Sequence, residues 1–252
     1  MSPDLTVSII SHGHAALVAV LLQDIERHVA TPLRVILTIN QPEPEETWAT
    51  RRYPFEIEVV RNSVPKGFGA NQNAALALTR GELFCVLNPD IRLRSDPFPV
   101  LVAALADSGT GVVAPLVTNL DLVPEDHARE FPSLFALAAK ALGNRPHTPP
   151  PRGDAKYHPD WVAGMFMLLR AETLRSMGGF DERYFLYYED VDLCARMRER
   201  GLEVAVCPAA SVIHAAQRES RRNPRYALWH LSSALRFLVS RPRIALGLRR
   251  KR

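Results

Sequence analysis

Short apolar runs rich in β-branched residues alternate with segments of helical periodicity along the chain. Leu5–Ser11 is a run of this kind, and Ala15–Val29 then places apolar residues at helical spacing before Pro32. Where strands and helices alternate, successive strands run in the same direction and helices cover both faces of the sheet. The sequence therefore predicts an α/β fold with a mostly parallel central sheet, in which ligands bind beyond the carboxyl ends of the strands.

The remaining elements follow the same pattern up to residue 118 and again from Trp161. Further strands are predicted over Leu33–Ile39, Phe55–Val60, Leu83–Leu87, Val112–Val117 and Glu203–Ile213, with Met165–Leu169 as a buried strand or a strand-helix edge. Further helices are predicted over Ala70–Thr79 and Pro99–Ala106, and a third ends at Gly201. The segment Asn119–Asp160 is rich in proline, with one helical patch at Leu134–Leu142, and is predicted to be a partly mobile excursion over the ligand face.

Composition limits the class of protein. The chain has 252 residues, which suits one large α/β domain or two small ones. Its longest apolar runs are far below the ~20 residues that a membrane span needs, and no cationic region precedes the first apolar run, so we interpret that run as a strand and not as a signal peptide. Three cysteines in apolar or helical contexts favour buried thiols in a reducing, cytoplasmic location.

The positive charge is concentrated at the end of the chain. Residues 218–252 contain eleven Arg and Lys against one acid, Glu219, a net charge of +10, whereas the rest of the chain carries −6. The tail also has an amphipathic segment, Arg225–Val239, with apolar residues on one stripe at Leu228, Leu231, Ala234, Leu235 and Leu238. Such a tail suits an anionic partner, and the sequence leaves open a membrane surface, a nucleic acid or a phosphorylated lipid.

Three carboxylates stand just ahead of or at the start of the helix that ends at Gly201. Glu189, Asp190 and Asp192 follow a Gly178-Gly179 turn and an aromatic stretch. A general base must reach the proton that it removes and must be ionised at the working pH. Acids in the first turn of a helix also stabilise the helix dipole, but that explanation accounts for one of these acids more easily than for all three.

Polar residues follow two other predicted strands. Asn88-Pro89-Asp90 comes directly after a buried strand, and Asp90 is a hard oxygen ligand that suits Mg²⁺ or Mn²⁺. His214 ends another strand and is either a metal ligand or a histidine at the sheet edge whose ring nitrogens form ordinary hydrogen bonds. Asn, Pro and Asp are also common turn residues, so a plain turn is an alternative for Asn88–Asp90. Gly67-Phe68-Gly69 opens a helix, where glycines and the helix N-terminus favour phosphate, although this signal alone is weak.

Taken in order, these segments resemble the inverting nucleotide-sugar glycosyltransferases of family 2, which have the GT-A fold, and most of all the bacterial rhamnosyltransferase-type enzymes. The matching stretches are Val7–Gly13 (VSIISHG), Asn62–Asn73 (NSVPKGFGANQN), Leu87–Asp90 (LNPD) and Gly164–Gly201, which contains Gly-Gly-Phe-Asp-Glu and Glu-Asp-x-Asp-Leu. The last of these is long and specific, whereas the glycine loop is only supportive.

The resemblance implies a single displacement at the anomeric carbon of a nucleotide sugar. Asp190 would deprotonate the acceptor hydroxyl, and Glu189 and Asp192 would orient the acceptor or hold nearby backbone. A divalent Mg²⁺ or Mn²⁺ would be held by Asp90 and His214. The donor and its nucleotide would lie against Ser11, His12, Gly13, Asn40, Asn62, Lys66, Gly67, Phe68, Gly69, Asn71 and Asn88. The acceptor side would include Trp161, Gly164, Gly179, Phe180, Asp181 and Asp192.

Three positions depart from the family pattern. Ile39 stands where an acid usually reads the nucleobase after the second strand, although the adjacent Asn40 could still hydrogen-bond the nucleobase. Gly13 replaces the usual Asn of the first loop. Asn88 replaces the first Asp of the Asp-x-Asp metal motif, so metal binding would depend largely on the donor diphosphate.

We expect a glycosyltransferase domain over residues 1–215, with a nucleotide-sugar half (1–118), the excursion (119–160) and an acceptor half (161–215), followed by a basic helical tail (216–252). The expected partners are a dTDP-, UDP- or GDP-sugar and a lipid-linked or polysaccharide acceptor, with peripheral contact between the tail and the inner face of the cytoplasmic membrane. A non-catalytic nucleotide-sugar or glycan-binding relative is the alternative. Nucleic-acid binding is not expected, because the tail lacks an interleaved aromatic platform and a DNA-reading motif.

Overall fold

The computed structural model describes residues 5–43, 47–49, 51–134, 153–215 and 224–248. The strands are β1 (Leu5–Ser11), β2 (Leu33–Ile39), β3 (Glu56–Arg61), β4 (Leu83–Leu87), β5 (Ile91–Arg92), β6 (Thr110–Thr118), β7 (Ala128–Arg129), β8 (Trp161–Val162), β9 (Phe166–Arg170) and β10 (Glu203–His214). The helices are α1 (Ala15–His28), α2 (Phe68–Leu78), α3 (Phe98–Leu105), α4 (Ala171–Ser176), α5 (Glu189–Glu199), α6 (Pro224–Ser240) and α7 (Pro242–Ala245), with a 3-10 turn at Thr47–Ala49. Within the described ranges, no helix has the length and hydropathy that crossing a membrane requires.

Eight strands form one mixed sheet in the order β3-β2-β1-β4-β9-β6-β10-β5. Strands β3, β2, β1 and β4 are parallel neighbours, and β6 is parallel to β10. Strand β9 lies antiparallel between β4 and β6, and β5 pairs antiparallel with the end of β10. The prediction of a mostly parallel α/β sheet is confirmed. Of the predicted segment Met165–Leu169, residues 166–169 lie in the buried strand β9, and Met165 lies in the turn before it.

Alternation along each central strand divides the core between the two faces of the sheet, because successive strand side chains point to opposite faces. On β4, Cys85 and Leu87 join the apolar layer formed with α1 and α3, whereas Phe84 and Val86 join the layer formed with α2, α4 and α5. The core is thus covered on both faces, and the polar side chains that end the strands are left at its carboxyl edge.

Helix α2 begins two residues earlier than the sequence predicts. Gly67 is extended and precedes the helix, and the Phe68 backbone N–H donates to the carbonyl of Phe185 at 2.9 Å. This partner lies more than a hundred residues away, so no local signal marks the start. The predicted helical patch at Leu134–Leu142 lies, apart from Leu134, outside the described residues.

The tail helix α6 packs on the body through a different face from the predicted stripe. Ala234 and Phe237 are buried against Tyr184, Tyr188 and other side chains near the start of α5. Of the predicted stripe, only Ala234 is buried, whereas the three leucines at 228, 231 and 235 are each more than half exposed. The helix therefore has an apolar contact face and a second, outward apolar face.

The Gly178-Gly179 turn is fixed by the side chain of Asn73 on α2. Asn73 accepts a hydrogen bond from the Phe180 N–H (2.8 Å) and donates one to the Phe180 carbonyl (2.9 Å). Both glycines have positive φ. A Cβ on Gly179 would lie 2.3 Å from Asn73 Oδ1, whereas a Cβ on Gly178 would meet nothing within 4 Å.

These two glycines form a matched pair for a stability test. Gly178→Ala should cost roughly 1–2 kcal/mol, because it adds only the strain of a left-handed residue. Gly179→Ala should cost about 2 kcal/mol more, because it also displaces both Asn73 hydrogen bonds. Denaturant unfolding of the two variants measures the difference, and equal losses would contradict the role assigned to Asn73.

Candidate active site

The polar residues singled out in the sequence converge at one edge of the sheet. Strands β1, β2, β4, β6 and β10 run in one direction, so their carboxyl ends share an edge. Ser11 ends β1, Asn40 follows β2, Asn88–Asp90 follows β4, and His214 ends β10. This topology explains why the polar residues that the sequence predicts to bind a ligand lie at one edge of the sheet.

A hydrogen-bonded network of asparagines joins the loops at this edge. The Asn40 amide donates to His12 Nδ1 (3.1 Å) and to the Lys66 carbonyl (3.0 Å), and its oxygen accepts from Lys66 N and from Asn62 Nδ2. Asn62 also donates to Asn71 Oδ1 at 2.7 Å. All four hydrogen-bonding positions of the Asn40 amide are therefore filled, and a contact with a nucleobase would have to displace one of them.

Glu43 joins the first strand's loop to the loop that follows β2. One of its carboxylate oxygens accepts from Ser11 Oγ (2.7 Å) and from the backbone N–H of Gly13 (2.9 Å), and the other oxygen is buried without a partner. Gly13 has φ +80°, and a Cβ there would lie 2.7 Å from Gln41. Burial, together with the neighbouring His14, lowers the pKa of His12, which favours the neutral ring.

Three glycines allow the Gly67-Phe68-Gly69 loop and the acidic segment to touch. A Cβ on Gly67 would lie 2.7 Å from the Phe185 carbonyl oxygen, and one on Gly69 would lie 3.0 Å from Phe180 Cβ. A Cβ on Gly164 would lie 3.3 Å from the Phe68 ring and 3.6 Å from Asp190 Cβ. The Gly67-Phe68-Gly69 stretch thus has a packing role that is independent of any phosphate.

Two strained tyrosines lead into the acidic pair. Tyr187 and Tyr188 both have φ +69°, a region that bulky residues rarely adopt and that the surrounding packing must hold. Asp190 then accepts two backbone hydrogen bonds, from Gly164 N to Oδ2 and from Val191 N to Oδ1, each at 2.8 Å. The carboxylate is therefore held in one orientation by two different elements.

Burial separates the protonation behaviour of the two adjacent acids. Glu189 is only 5% exposed and its Oε2 has no partner, so desolvation, and then the charge of Asp190, raise its pKa well above the usual range. Desolvation also raises the pKa of Asp190, but the hydrogen bonds from Gly164 and Val191 oppose that rise. Asp190 is therefore the member of the pair that ionises at the lower pH, and Glu189 holds its proton to a higher pH.

Other predicted acceptor-side residues have structural partners. Asp192 is buried and pairs with Arg196 (2.8 Å) and Arg241 (3.0 Å), which ties α5 to the end of α6. Asp181 pairs with Arg183, whose hydrogen bond holds the pKa of Asp181 below its usual value. Trp161 donates its indole N–H to the Glu130 carbonyl, and Phe180 is buried edge-on to the Phe68 ring.

The antiparallel pairing of β5 with β10 brings Asp90 to His214, because His214 is the register partner of Ile91. His214 Nε2 lies 3.0 Å from Asp90 Oδ2, and Nδ1 lies 2.6 Å from Glu125 Oε2. Burial lowers the pKa of His214, but the hydrogen bonds and charges of Asp90 and Glu125 outweigh it and raise the pKa to about 9. The second oxygen of Asp90, Oδ1, is buried without a partner. An imidazole whose far nitrogen donates to a carboxylate is the usual arrangement around a metal-binding histidine.

Three contributors were missed by the sequence reasoning. Glu43 and Glu125 lie in loops, and their partners are 30 or more residues away along the chain, so no local spacing pointed to them. Asn73 ends the stretch that resembles the family's donor segment, but its side chain holds the Gly178-Gly179 turn.

Comparison with known proteins identifies the family. Residues 3–231 match the model of the glycosyltransferase-like family 2 domain. The chain belongs to glycosyltransferase family 2. It is a glycosyltransferase of the rhamnosyltransferase-like type, as the sequence resemblance predicted.

Two curated relatives cover most of the chain. One is rhamnosyltransferase WbbL of Escherichia coli K12, 29% identical over 249 residues and 92% of each chain. Another is N-acetylglucosaminyl-diphospho-decaprenol L-rhamnosyltransferase of Mycobacterium tuberculosis, 28% identical over 239 residues, 83% of this chain and 76% of the relative.

Solved structures confirm the GT-A fold. GalNAc-T7 with UDP, GalNAc and Mn²⁺ superposes with a TM-score of 0.73 at 14% identity, over 93% of this chain and 47% of that one. Mannosyltransferase PcManGT of Pyrobaculum calidifontis with GDP-Man and Mn²⁺ superposes with a TM-score of 0.65 at 17% identity, over 98% of this chain and 70% of that one.

The raised pKa of Glu189 predicts a pH-dependent stability difference. A buried acid whose folded-state pKa is raised stabilises the fold below its unfolded pKa of about 4.3 and loses that contribution as pH rises toward the folded pKa. Glu189→Gln keeps the shape of the neutral acid, so its unfolding free energy should exceed that of the wild type increasingly from pH 4 upward. Denaturant unfolding across this range measures the gap. The exposed Glu172→Gln is the control, and a gap that shrinks with rising pH would refute the assignment.

Proposed function

We propose that this family 2 enzyme transfers a sugar from a nucleoside-diphosphate donor to a hydroxyl of a lipid-linked acceptor, with inversion at the anomeric carbon. Rhamnose from dTDP-rhamnose is the proposed donor sugar, because two of the curated relatives are named rhamnosyltransferases. The observation that carries the proposal is the Asp190 carboxylate, held by two backbone N–H groups beside the glycine loop at the carboxyl edge of the sheet.

Asp190 is the proposed general base. Each of its oxygens accepts one backbone hydrogen bond, and an ionised carboxylate has about four acceptor positions, so an acceptor hydroxyl can still donate to it. As the proton moves to Asp190, the acceptor oxygen forms its bond to the anomeric carbon and the bond from that carbon to the phosphate oxygen breaks. The nucleoside diphosphate leaves with that electron pair. A base with a raised pKa also holds the proton better once it has it.

Glu189 is proposed to act as a neutral neighbour. If both acids were ionised, two adjacent charges would share a poorly solvated site, which costs more than keeping one proton. The protonated Glu189 keeps Asp190 as the single negative charge of the pair. Its position against Gly69, where a Cβ would lie 3.8 Å from Glu189 Cβ, also links the acids to the donor-side loop.

The Asp90 and His214 pair fits a divalent cation. Asp90 has one buried oxygen without a partner, and His214 faces Asp90 with Nε2 while Glu125 accepts from Nδ1. The two structural neighbours described above were solved with Mn²⁺. Bound there, Mg²⁺ or Mn²⁺ would supply positive charge for the departing diphosphate. Within the described residues no group of three or more His, Cys, Asp or Glu is arranged as a metal site, which favours additional ligands from the donor.

A lipid-linked acceptor is favoured by the name of the Mycobacterium tuberculosis relative, which acts on a diphospho-decaprenol. The basic tail adds electrostatic attraction to an anionic surface, and each Lys or Arg near such a surface contributes about 1 kcal/mol. A polysaccharide acceptor and a non-catalytic sugar-binding relative are the alternatives. The oriented Asp190 favours catalysis, because binding alone does not need a carboxylate held in this way.

The proposed roles of the two acids predict unequal variants. Asp190→Asn should lower kcat by ~10²–10⁴-fold, because an amide cannot take the proton. Glu189→Gln should lose far less, because it mimics the neutral acid. Single-turnover transfer with saturating donor measures both, and cooperative unfolding with a midpoint no lower than that of the wild type controls for folding. A folded Asp190→Asn variant with near-normal kcat would remove Asp190 from the role.

The proposed cation site predicts that removing its two carboxylates, one at a time, weakens Mn²⁺ binding to different extents. Asp90→Asn removes a direct ligand, and Glu125→Gln removes only the partner that orients His214, which typically weakens metal affinity by ~10–100-fold. Titration of Mn²⁺ in the presence of the nucleoside diphosphate measures both. The exposed Asp121→Asn is the control, and Mn²⁺ binding that is equal in all four proteins would place the cation elsewhere.

The donor itself is tested by calorimetric titration with dTDP-, UDP- and GDP-sugars, with and without Mn²⁺. Metal-dependent binding of one donor, followed by its transfer to a prenyl-diphosphate acceptor, is the expected result. Tight donor binding with no transfer or hydrolysis would favour the non-catalytic relative instead.

A further inference from the structure

Helix α6 has two apolar faces, and the body covers one of them. Ser233, Ala234 and Phe237 are buried, and Ser233 donates to the Leu186 carbonyl at 3.0 Å. The opposite side presents Leu228, Leu231, Leu235 and Val239, which are 65%, 57%, 54% and 81% exposed. These four residues, named here the outward stripe, recur at intervals of three and four and so lie along one side of the helix.

The outward stripe is not an accidental exposure of single residues. Its four side chains extend over about 16 Å of helix and form a continuous apolar surface on the helix that ties back to the acidic segment. Soluble proteins rarely expose contiguous apolar surface of this kind, and where polar residues rim it, it marks an interaction site. After α7, Leu246 and Leu248 are also more than 60% exposed, which extends the apolar character of this region.

Charge identifies the partner. Arg225 and Arg236 fall on one flank of the outward stripe, as the 100° spacing of helical residues requires. Arg243 on α7 is also exposed. In sequence, residues 218–252 carry +10 with Glu219 as the single acid. A helix with an apolar face, a cationic flank and few acids matches the pattern of helices that lie in the interface of an anionic lipid bilayer.

We propose that α6 is an interfacial membrane helix, whose outward stripe inserts among the lipids of an anionic bilayer while its other face holds the enzyme body. This differs from attraction of the basic tail alone, because apolar insertion does not depend on ionic strength. The proposal does not rest on the proposed reaction, since binding to lipid is measured without donor or acceptor.

The structure indicates why this helix is suited to the task. Its inner face contacts the segment that leads to the acids: Phe185 and Trp229 rings lie 4.8 Å apart, and Tyr188 and Phe237 rings lie 5.6 Å apart. Arg241, at the end of α6, pairs with Asp192 in the first turn of α5. A bilayer that holds α6 would therefore be separated from the Glu189-Asp190 pair only by α6 and the side chains packed between it and the start of α5.

The test is vesicle flotation of the full chain with phosphatidylcholine vesicles, with and without phosphatidylglycerol. Binding is measured at low salt and in about 1 M salt, where the Debye length is about 3 Å and surface attraction is screened. The stripe variant carries Leu228→Ser, Leu231→Ser and Leu235→Ser. The charge variant carries Arg236→Gln and Arg243→Gln, and Leu78→Ser, an exposed leucine at the far end of α2, is the apolar control.

The wild type and the Leu78→Ser control should bind phosphatidylglycerol vesicles and keep part of that binding in high salt. The stripe variant should lose the salt-resistant part by at least ~10-fold while its unfolding midpoint stays unchanged. The charge variant should lose mainly the low-salt part. Stripe-variant binding equal to wild type would overturn the proposal. The proposal would also be overturned if the wild type did not bind vesicles but formed a dimer in light scattering and the stripe variant stayed monomeric. In that case a second copy of the chain would cover this face.

Discussion

Close backbone packing between the Gly67-Phe68-Gly69 loop and the segment 180–190 is the constraint on which the site depends. The Phe68 N–H donates to the Phe185 carbonyl, and a Cβ at Gly67 would overlap that oxygen. Because the two segments meet with so little space, this loop and the acidic pair cannot move independently. The strained φ angles of Tyr187 and Tyr188 are tolerated only because this packing, and helix α6 behind it, hold them.

The sequence was a good guide wherever a local period determines the structure. Strand β4 was predicted with its observed ends because a short apolar run bounded by Arg80-Gly81 and Asn88-Pro89 is readable from neighbours alone. The position of Asp90 and His214 at the same edge of the sheet could be predicted, because each follows or ends a predicted strand. Their direct contact did not, because it depends on the antiparallel pairing of β5 with β10, two elements separated by more than a hundred residues.

What the sequence could not provide was the identity of long-range polar partners and the orientation of α6. Glu43 and Glu125 are ordinary loop acids until the fold places them against Ser11 and His214. The leucines of α6 predicted an amphipathic helix, but Phe237 and Ala234 lie on its other side, so two faces were available for packing. In the structure, the side with Phe237 packs against Tyr184 and Tyr188, and the periodicity of the helix does not contain this contact between distant residues.

The two carboxylate sites at this edge treat protons in opposite ways, and the difference follows from their partners. His214 sits between Asp90 and Glu125, so a positive charge there, whether a proton or a cation, is stabilised. The Glu189-Asp190 pair has no cation in hydrogen-bond contact among the described residues, so burial raises the pKa of both acids and most strongly that of Glu189. In the proposed reaction, a donor diphosphate would be attracted to a cation at the first site, whereas an acceptor hydroxyl would lose its proton at the second. The proposed displacement requires both of these properties at once, because a leaving anion needs nearby positive charge and the attacking hydroxyl needs a group that accepts its proton.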